Sequence, residues 1–511
     1  MITQSQLLKR NVRHRGDSVA LQLLDDDEEW TYAEFDERVN RVASGLQQRG
    51  LREGDRVPIV LYNTPEFPLS VYACYRIGAI PVPLNYMFSA ADFEYVIDDL
   101  NAEAIVYDHE DRETIQTAIE NSGTSLRPIQ VGGVPPQGET FNSVLDSGVD
   151  SEPSPVSPND GRISYILYTS GTTGRPKGVV ISQASAYHRI QQAHAAQGHI
   201  TQETVGLQLS PFFHAGGMGT MINPVLCAGG SLLLAKDWGP DMAPEAVSEH
   251  GVTYVVTVPT VAKRMADRDD IDEFDFSTVE VLHCMGSPLS KQLVTQLSES
   301  LTPNIFNGYG STESMYDLIL RPEDLPEHAG KTGRPSAAKQ VRIAKYDPKD
   351  GVSPEEETDV GEEGELLVKG EGLVDYYFNA QDATNRSFEE GWYRTKDLAV
   401  RDEAGYVTIT GRADDMILSG GELVSPVEVE ETLEGYDAVV SAIVVGVPDE
   451  EWGQRVKAYV SGDGVTEDEL DTYCKHDSDL ADYKRPREYE FVESVKRTAT
   501  GKKQRFKYRP D

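Results

Sequence analysis

The chain has 511 residues, 39% of them hydrophobic, with 44 Gly and 28 Pro, which is too long for one core and argues for two or three globular domains. Its 85 acidic and 47 basic residues leave a formal net charge of −38, scattered along the chain rather than gathered in a tail. Such an excess is a solubility device of the kind expected in a high-salt cytoplasm, so a halophilic source is expected. The start Met1-Ile-Thr-Gln-Ser-Gln has no cationic patch before an apolar run, so no secretory leader is expected. The longest apolar stretch, 214–234, carries Asn223 and Pro224 and reads as a buried helix and strand rather than a membrane span. Cys74, Cys227, Cys284 and Cys474 lie far apart without Cys-x-x-Cys spacing, and read as buried reduced thiols with no zinc site. A cytoplasmic protein without integral membrane contact is expected.

In chain order, a helical pattern at 31–50 is followed by an apolar β-like run at 57–61, a second helix at 67–78, and runs at 79–83 and 104–107. Further runs lie at 163–168, 179–181, 231–235, 252–257 and 279–282. Strand–helix alternation at this repeat length predicts an α/β architecture with largely parallel sheets. From about Gly364 the texture changes to short strands and turns (365–369, 405–410). A small α+β unit follows, with a helix at 426–433 and a strand at 439–445. A domain boundary is expected near 411–415, dividing the chain into 1–411 and 412–511.

The segment Tyr168-Thr-Ser-Gly-Thr-Thr-Gly-Arg-Pro-Lys-Gly178 sets Thr169, Ser170, Thr172 and Thr173 among Gly171, Gly174 and Gly178 and ends in Lys177. Hydroxyls and glycine N–H groups wrap phosphate oxygens, and the lysine adds a mobile positive charge. The spacing is not that of a P-loop, and a strand rather than a helix follows. A flexible surface linker is the plainer alternative, but linkers seldom lie between two apolar β-like runs. Downstream, Asn307-Gly-Tyr-Gly-Ser-Thr-Glu-Ser314 combines a glycine turn, an aromatic, hydroxyls and a carboxylate suited to a hard cation. Taken alone, it would also serve as a helix N-terminus capped by Ser311 or Thr312. The carboxylate of Asp397, in Gly391-Trp-Tyr-Arg-Thr-Lys-Asp-Leu398, has two oxygens at the spacing of a vicinal diol. An exposed Lys–Asp turn is the alternative there. From 484 to 511 the tail carries ten Lys/Arg against four Asp/Glu, the opposite of the rest of the chain, and such a concentration argues for a polyanionic partner.

These motifs, with 411–430, 447–453 and 498–502, resemble in order those of the adenylate-forming superfamily, which includes acyl-CoA synthetases, firefly luciferases and nonribosomal-peptide adenylation domains. The resemblance spans nearly the whole chain. It implies a large N-terminal domain of stacked, mainly parallel sheets with helices and a small mobile α+β C-terminal domain. It also implies ATP-dependent conversion of a carboxylic acid, a fatty acid first and an aryl acid second, to acyl-adenylate and then acyl-CoA. ATP, Mg²⁺ and coenzyme A are the implied cofactor and co-substrates. No nucleic-acid partner is implied, and a homodimer is admitted.

By the same resemblance, residues 169–174 and Lys177 embrace the phosphates of ATP. Gly286 and Ser287 line the adenine pocket with Asn307, Gly310 and Tyr309, the last lying on the base. Thr312 contacts the α-phosphate and Glu313 binds Mg²⁺. Asp397 takes the ribose hydroxyls, with Arg412 reaching the nucleotide, and Lys396 stands where glycine is usual. Asp414 is the hinge, Gly420 and Gly421 flank the pantetheine arm, and Trp452 and Arg485 face the CoA nucleotide. Lys502 meets the charge developing between carboxylate and α-phosphate. His214, in Pro211-Phe-Phe-His-Ala-Gly-Gly217, either borders the substrate carboxylate or is a core histidine in an aromatic setting.

Overall fold

The computed structural model describes residues 2–509 apart from 155, 170–174, 198–199, 238, 288, 348–350, 421, 450–451, 479 and 498–502, and apart from the side chains of 197, 347, 351 and 423. The chain forms two compact units. The first is Met1–Ala329 with Pro335–Gln340 and Lys369–Phe388; the second is Gly330–Arg334 with Val341–Val368 and Glu389–Asp511.

The first unit is α/β. One sheet runs Leu318–Leu320, Ile305–Tyr309, Val281–Met285, Tyr254–Thr257, Val205–Gln208, Ser231–Leu234, Val19–Leu23 and Glu28–Thr31. Its inner strands pair in parallel and its two edge strands here are antiparallel. A second, parallel sheet orders Ile80–Pro83, Arg56–Val60, Ala104–Asp108, Arg127–Val131 and Glu139–Thr140. Near-continuous apolar strands such as Val205–Gln208 and Ser231–Leu234 are buried on both faces, as parallel strands covered by helices must be. The helix expected at 31–50 runs Tyr32–Gln48, and Thr31 and Glu34 close a reciprocal capping box at its start. The helix expected at 67–78 is Glu66–Ile77, stopped by Gly78 at φ 74°. The apolar stretch 214–234 forms a π-helical turn Gly217–Ile222, the helix Asn223–Ala228 and the strand Ser231–Leu234, all but Ala228 buried. Among the described residues no helix is long and apolar enough to cross a membrane.

The second unit holds two β layers. In the first, Gly364–Gly370, Trp392–Arg401 and Val407–Arg412 pair antiparallel. In the other, the long hairpin Val439–Asp449 and Gly453–Gly462 is joined by Ile417–Ser419, Glu422–Val424 and Glu488–Phe491. Helices Pro426–Glu434 and Glu467–His476 cover it around a separate core that includes Ile417, Val429, Leu433, Val444, Val456 and Leu470. The expected boundary at 411/412 therefore falls inside the second unit, just ahead of the residues that build this last core.

Candidate active site

Four parallel strands of the first unit end on one rim. Register sets Gln208 opposite Val256, Thr257 opposite Cys284, and Met285 opposite Gly308. The segments that follow carry the expected site residues: the turn with His214, then Gly286–Ser287, then Tyr309–Glu313. Ligands of open α/β sheets bind at such carboxyl ends. Gly286 takes φ 90°, which lets the chain turn away at once after its strand.

Residues 312–314 are turns rather than a helix start, and the chain passes on to the strand Leu318–Leu320. Hydroxyls knit this turn together. Ser311 Oγ accepts from the Glu313 N–H at 3.2 Å and lies 3.0 Å from Ser314 Oγ, which donates to Asp317 Oδ2. Gly310 is required here because a Cβ would collide with the Met315 carbonyl. Asn307, in the middle of its strand, is buried with its side-chain oxygen unmatched by any donor among the described residues, an acceptor available to a ligand. Glu313 is 9% exposed. The Tyr377 hydroxyl donates to its carboxylate at 2.8 Å, and its backbone carbonyl accepts from Arg189 at 2.9 Å and from the Val374 N–H at 3.0 Å. A carboxylate held in this way offers the hard oxygen that Mg²⁺ requires.

The expected phosphate loop joins the antiparallel strands Ile163–Thr169 and Lys177–Ser182, with Thr169 opposite Lys177. Ser170, Gly171, Thr172, Thr173 and Gly174 lie outside the described residues. The hairpin's base is fixed by Tyr168, whose hydroxyl donates to Asp99 at 2.5 Å. Burial, then the Asp99 carboxylate, push that phenol's pKa up, so it stays a donor. The Lys177 ammonium lies 5.8 Å from the centre of the Tyr377 ring. At Gly178 a Cβ would press on Phe378, Tyr168 and Ile166 at 3.1–3.2 Å, and the Phe378 N–H donates to its carbonyl at 2.7 Å.

His214 packs 4.2 Å from the Phe213 ring and is only half-buried, at the edge of a Phe213–Tyr86–Tyr62 aromatic chain. That position admits both readings of His214. Among the described residues one acid and imidazole grouping has metal-ligand spacing, Asp108, His109 and Glu110. The Lys236 ammonium already sits there, 3.2 Å from Asp108 and 2.8 Å from Glu110, so a cation of the protein itself already occupies the group.

In the second unit, strand register puts Asp397 opposite Arg412, and their side chains pair at 2.9 Å. Lys396 keeps the backbone that glycine would use: its φ is 62°, and its ammonium reaches the Asp414 carboxylate at 2.8 Å. Asp415, the next residue, is held by Arg505 at 2.6 Å and Arg509 at 2.7 Å. Gly420 has φ 61° and lies flat against Trp452, whose ring edge would be 2.8 Å from a Cβ there. Trp452 is 44% exposed; Gly421 and Lys502 lie outside the described residues. Arg485 is buried and paired with Asp471 and Asp482.

Most of the tail's described basic residues pair with acids of the second unit. Lys484 pairs with Glu428, Arg487 with Asp482, Lys503 with Glu430 and Glu434, Arg505 with Glu430 and Asp415, and Arg509 with Asp415. Much of its charge therefore answers acids of its own unit. Tyr377 and Arg189 were not singled out from the sequence. Their partners lie 64 and 124 residues away, and no local pattern marks them.

The AMP-binding enzyme family model matches residues 8–378, and that of the AMP-binding enzyme C-terminal domain matches 428–502. The chain is 33% identical over 478 residues to a feruloyl-CoA synthase of Amycolatopsis sp, covering 92% of each protein. It is 30% identical over 482 residues to a long-chain-fatty-acid–CoA ligase of Mycobacterium tuberculosis, covering 93% of this chain and 92% of that one. A solved benzoate CoA ligase from Burkholderia xenovorans LB400 superposes with TM-score 0.87 at 26% identity, covering 100% of both chains. With its fold, its motif order and both family models in agreement, this chain belongs to the AMP-binding enzyme family.

Proposed function

We propose that this protein is an AMP-forming acid–thiol ligase that activates a small aryl or arylpropenoic carboxylic acid with ATP and passes it to coenzyme A. One observation carries the reading: Tyr377 joins Glu313, the candidate metal carboxylate, to the wall beside Lys177 of the candidate phosphate hairpin. In the first step a carboxylate oxygen of the acid attacks the α-phosphorus and pyrophosphate leaves. Lys177, Thr169 and the loop 170–174 hold the β- and γ-phosphates, Thr312 meets the α-phosphate, and Lys502 stabilises the charge that develops there. Mg²⁺ on Glu313 supplies charge neutralisation on the phosphate oxygens. Tyr309, Gly286, Ser287, Asn307 and Gly310 receive the adenine, and Asp397 and Arg412 the ribose. In the second step the CoA thiolate attacks the acyl carbon and AMP leaves. Asp414 serves as the hinge that withdraws Lys502, while Gly420, Gly421 and Trp452 attend CoA; Arg485 would have to leave Asp471 and Asp482 to join them.

The ring-sized substrate is supported by the filling of the core behind the His214 turn. Met218, Met221, Ile222 and Met315 are 0–2% exposed there, leaving a long chain to displace them. The feruloyl-CoA synthase and benzoate CoA ligase relatives point the same way. A fatty acid is the second reading, favoured by the long-chain ligase relative. Pyrophosphate release over a panel of benzoates, cinnamates and C6–C16 fatty acids, with and without CoA, decides between them. Fatty acids outrunning every aromatic acid by kcat/KM would overturn the first reading. Lys502→Ala is expected to lower adenylation by at least about 100-fold and spare thioester formation from supplied acyl-AMP. Equal losses in both half-reactions would remove Lys502 from the first step. The excess acid is further proposed to be an adaptation to salt, and a melting temperature that rises in molar KCl is the expected sign.

A further inference from the structure

The strap 371–378 is tied to the first unit along one polar stripe of the helix Gln183–Gln197. Ser185 Oγ donates to the Gly372 and Leu373 carbonyls at 2.9 and 3.0 Å. Arg189 Nε donates to the Gly372 carbonyl at 2.8 Å, and Gln192 donates to the Glu371 carbonyl. Positions 185, 189 and 192 share a helix face, so one face grips three successive carbonyls. Lys339 adds a fifth bond, from its ammonium to the Glu371 carbonyl at 2.8 Å. Arg189 is 1% exposed, and the same guanidinium bonds the Glu313 carbonyl, so the strap and the metal-turn backbone share one anchor.

The far end of the strap lies on the phosphate hairpin. The Phe378 N–H donates to the Gly178 carbonyl at 2.7 Å, the Val180 N–H donates to the Tyr376 carbonyl at 3.3 Å, and Tyr377 bridges Val179. Between these ends Tyr377 is 6% exposed. Its hydroxyl is spent on the Glu313 carboxylate and its ring lies toward the Lys177 ammonium. A phenol that served packing alone needs no carboxylate partner. A carboxylate that served only as a metal ligand, left with free rotamers, would lose freedom each time it bound.

We propose that Tyr377 is a positioning residue that fixes the Glu313 carboxylate for the divalent cation and couples it mechanically to the Lys177 hairpin. The proposal rests on Glu313 being the metal carboxylate. The neutral hydroxyl occupies one carboxylate oxygen without adding charge, so the acid keeps its full negative charge for the cation. The ring holds Lys177 at a distance where its attraction to the π face is weak and readily exchanged for a phosphate.

Tyr377→Phe removes the hydroxyl and keeps the ring. It is expected to raise the Mg²⁺ concentration for half-maximal pyrophosphate release by about tenfold. At saturating Mg²⁺, kcat should stay within about twofold, and thioester formation from supplied acyl-AMP should be unchanged. Mn²⁺ binding to the protein with a non-hydrolysable ATP analogue, followed by electron paramagnetic resonance, should weaken by the same factor. Unchanged Mn²⁺ affinity in Tyr377→Phe, or a fall in kcat that saturating Mg²⁺ does not restore, would overturn the proposal. Glu313→Gln run alongside separates the two ideas. If it binds Mn²⁺ normally, the metal assignment itself fails; if it loses binding while Tyr377→Phe does not, only the positioning role fails. Ser185→Ala, which loosens the strap without touching Glu313, should shift Mn²⁺ affinity in the same direction by a smaller factor.

Discussion

The wall around Glu313 and the basic tail of the second unit solve opposite problems with similar residues. Around Glu313 the described partners of the carboxylate and its carbonyl are a phenol hydroxyl, a backbone N–H and a guanidinium aimed at the carbonyl. In the tail, carboxylates such as Glu430 and Asp415 are matched by Lys503, Arg505 and Arg509. The first arrangement orients a charge without cancelling it, so a ligand can still use it. The second cancels charge in place, which holds a small lobe together and leaves little for a ligand.

Breaking the first side of this contrast should have the largest effect. Glu313→Gln keeps the shape and the Tyr377 contact but removes the charge, and pyrophosphate release should fall by at least about 100-fold with little change in melting temperature. Breaking the second side should move stability rather than chemistry. Arg505 is mostly buried between Glu430 and Asp415, so Arg505→Ala leaves Glu430 with Lys503 alone and Asp415 with Arg509 alone and should cost about 3 kcal/mol in urea unfolding. The isosteric but uncharged pair Arg505→Met with Glu430→Gln should recover part of that loss.

A third test uses pH. Burial pushes the Lys339 ammonium down to about 8, against the smaller upward pull of Asp317. Its folded pKa lies below its unfolded one, so between about pH 8 and 10.5 the unfolded chain binds more protons. Its cost is full below pH 8 and is relieved as pH rises through that window. Lys339→Met should therefore flatten the rise in stability from pH 8 to 10, measured as the difference from the native protein. The smallest effect is expected at Lys396. Lys396→Gly relieves a left-handed backbone worth about 1 kcal/mol and removes a half-exposed ion pair worth about 0–1 kcal/mol, so stability should hardly move. A changed salt dependence of the thioester half-reaction in that variant would show that the pair with Asp414 restrains the hinge.

Much of the fold was legible because it is written locally. Apolar runs between turns marked the strands, the pattern from residue 31 marked a helix, and the flanks of the Thr/Gly loop read as two strands, which the register pairs as a hairpin. Opposing registers cannot be read from one strand at a time, yet Asp397 and Arg412 each stood inside a recognisable motif and fell across from one another. What escaped were groups whose meaning depends on distant partners. Tyr377 looks like one more aromatic until Glu313 is beside it, and the tail counts only as an excess of positive charge until the acids of residues 415–434 are folded against it. The lysine at 396 shows the converse: an atypical residue adopted the geometry of the glycine it replaces, because the strand pairing on either side determines the backbone there.

The bare backbone of Gly420 beneath the Trp452 indole has an optical consequence. Trp452 is one of four tryptophans in the chain, and among the described ones it is the one that is exposed. A molecule threading along Gly420 must slide under or stack upon that ring, changing its contact with water and hence its emission. The protein thus carries its own fluorophore at the proposed thiol entrance, and stopped-flow emission can time the arrival of CoA without any label.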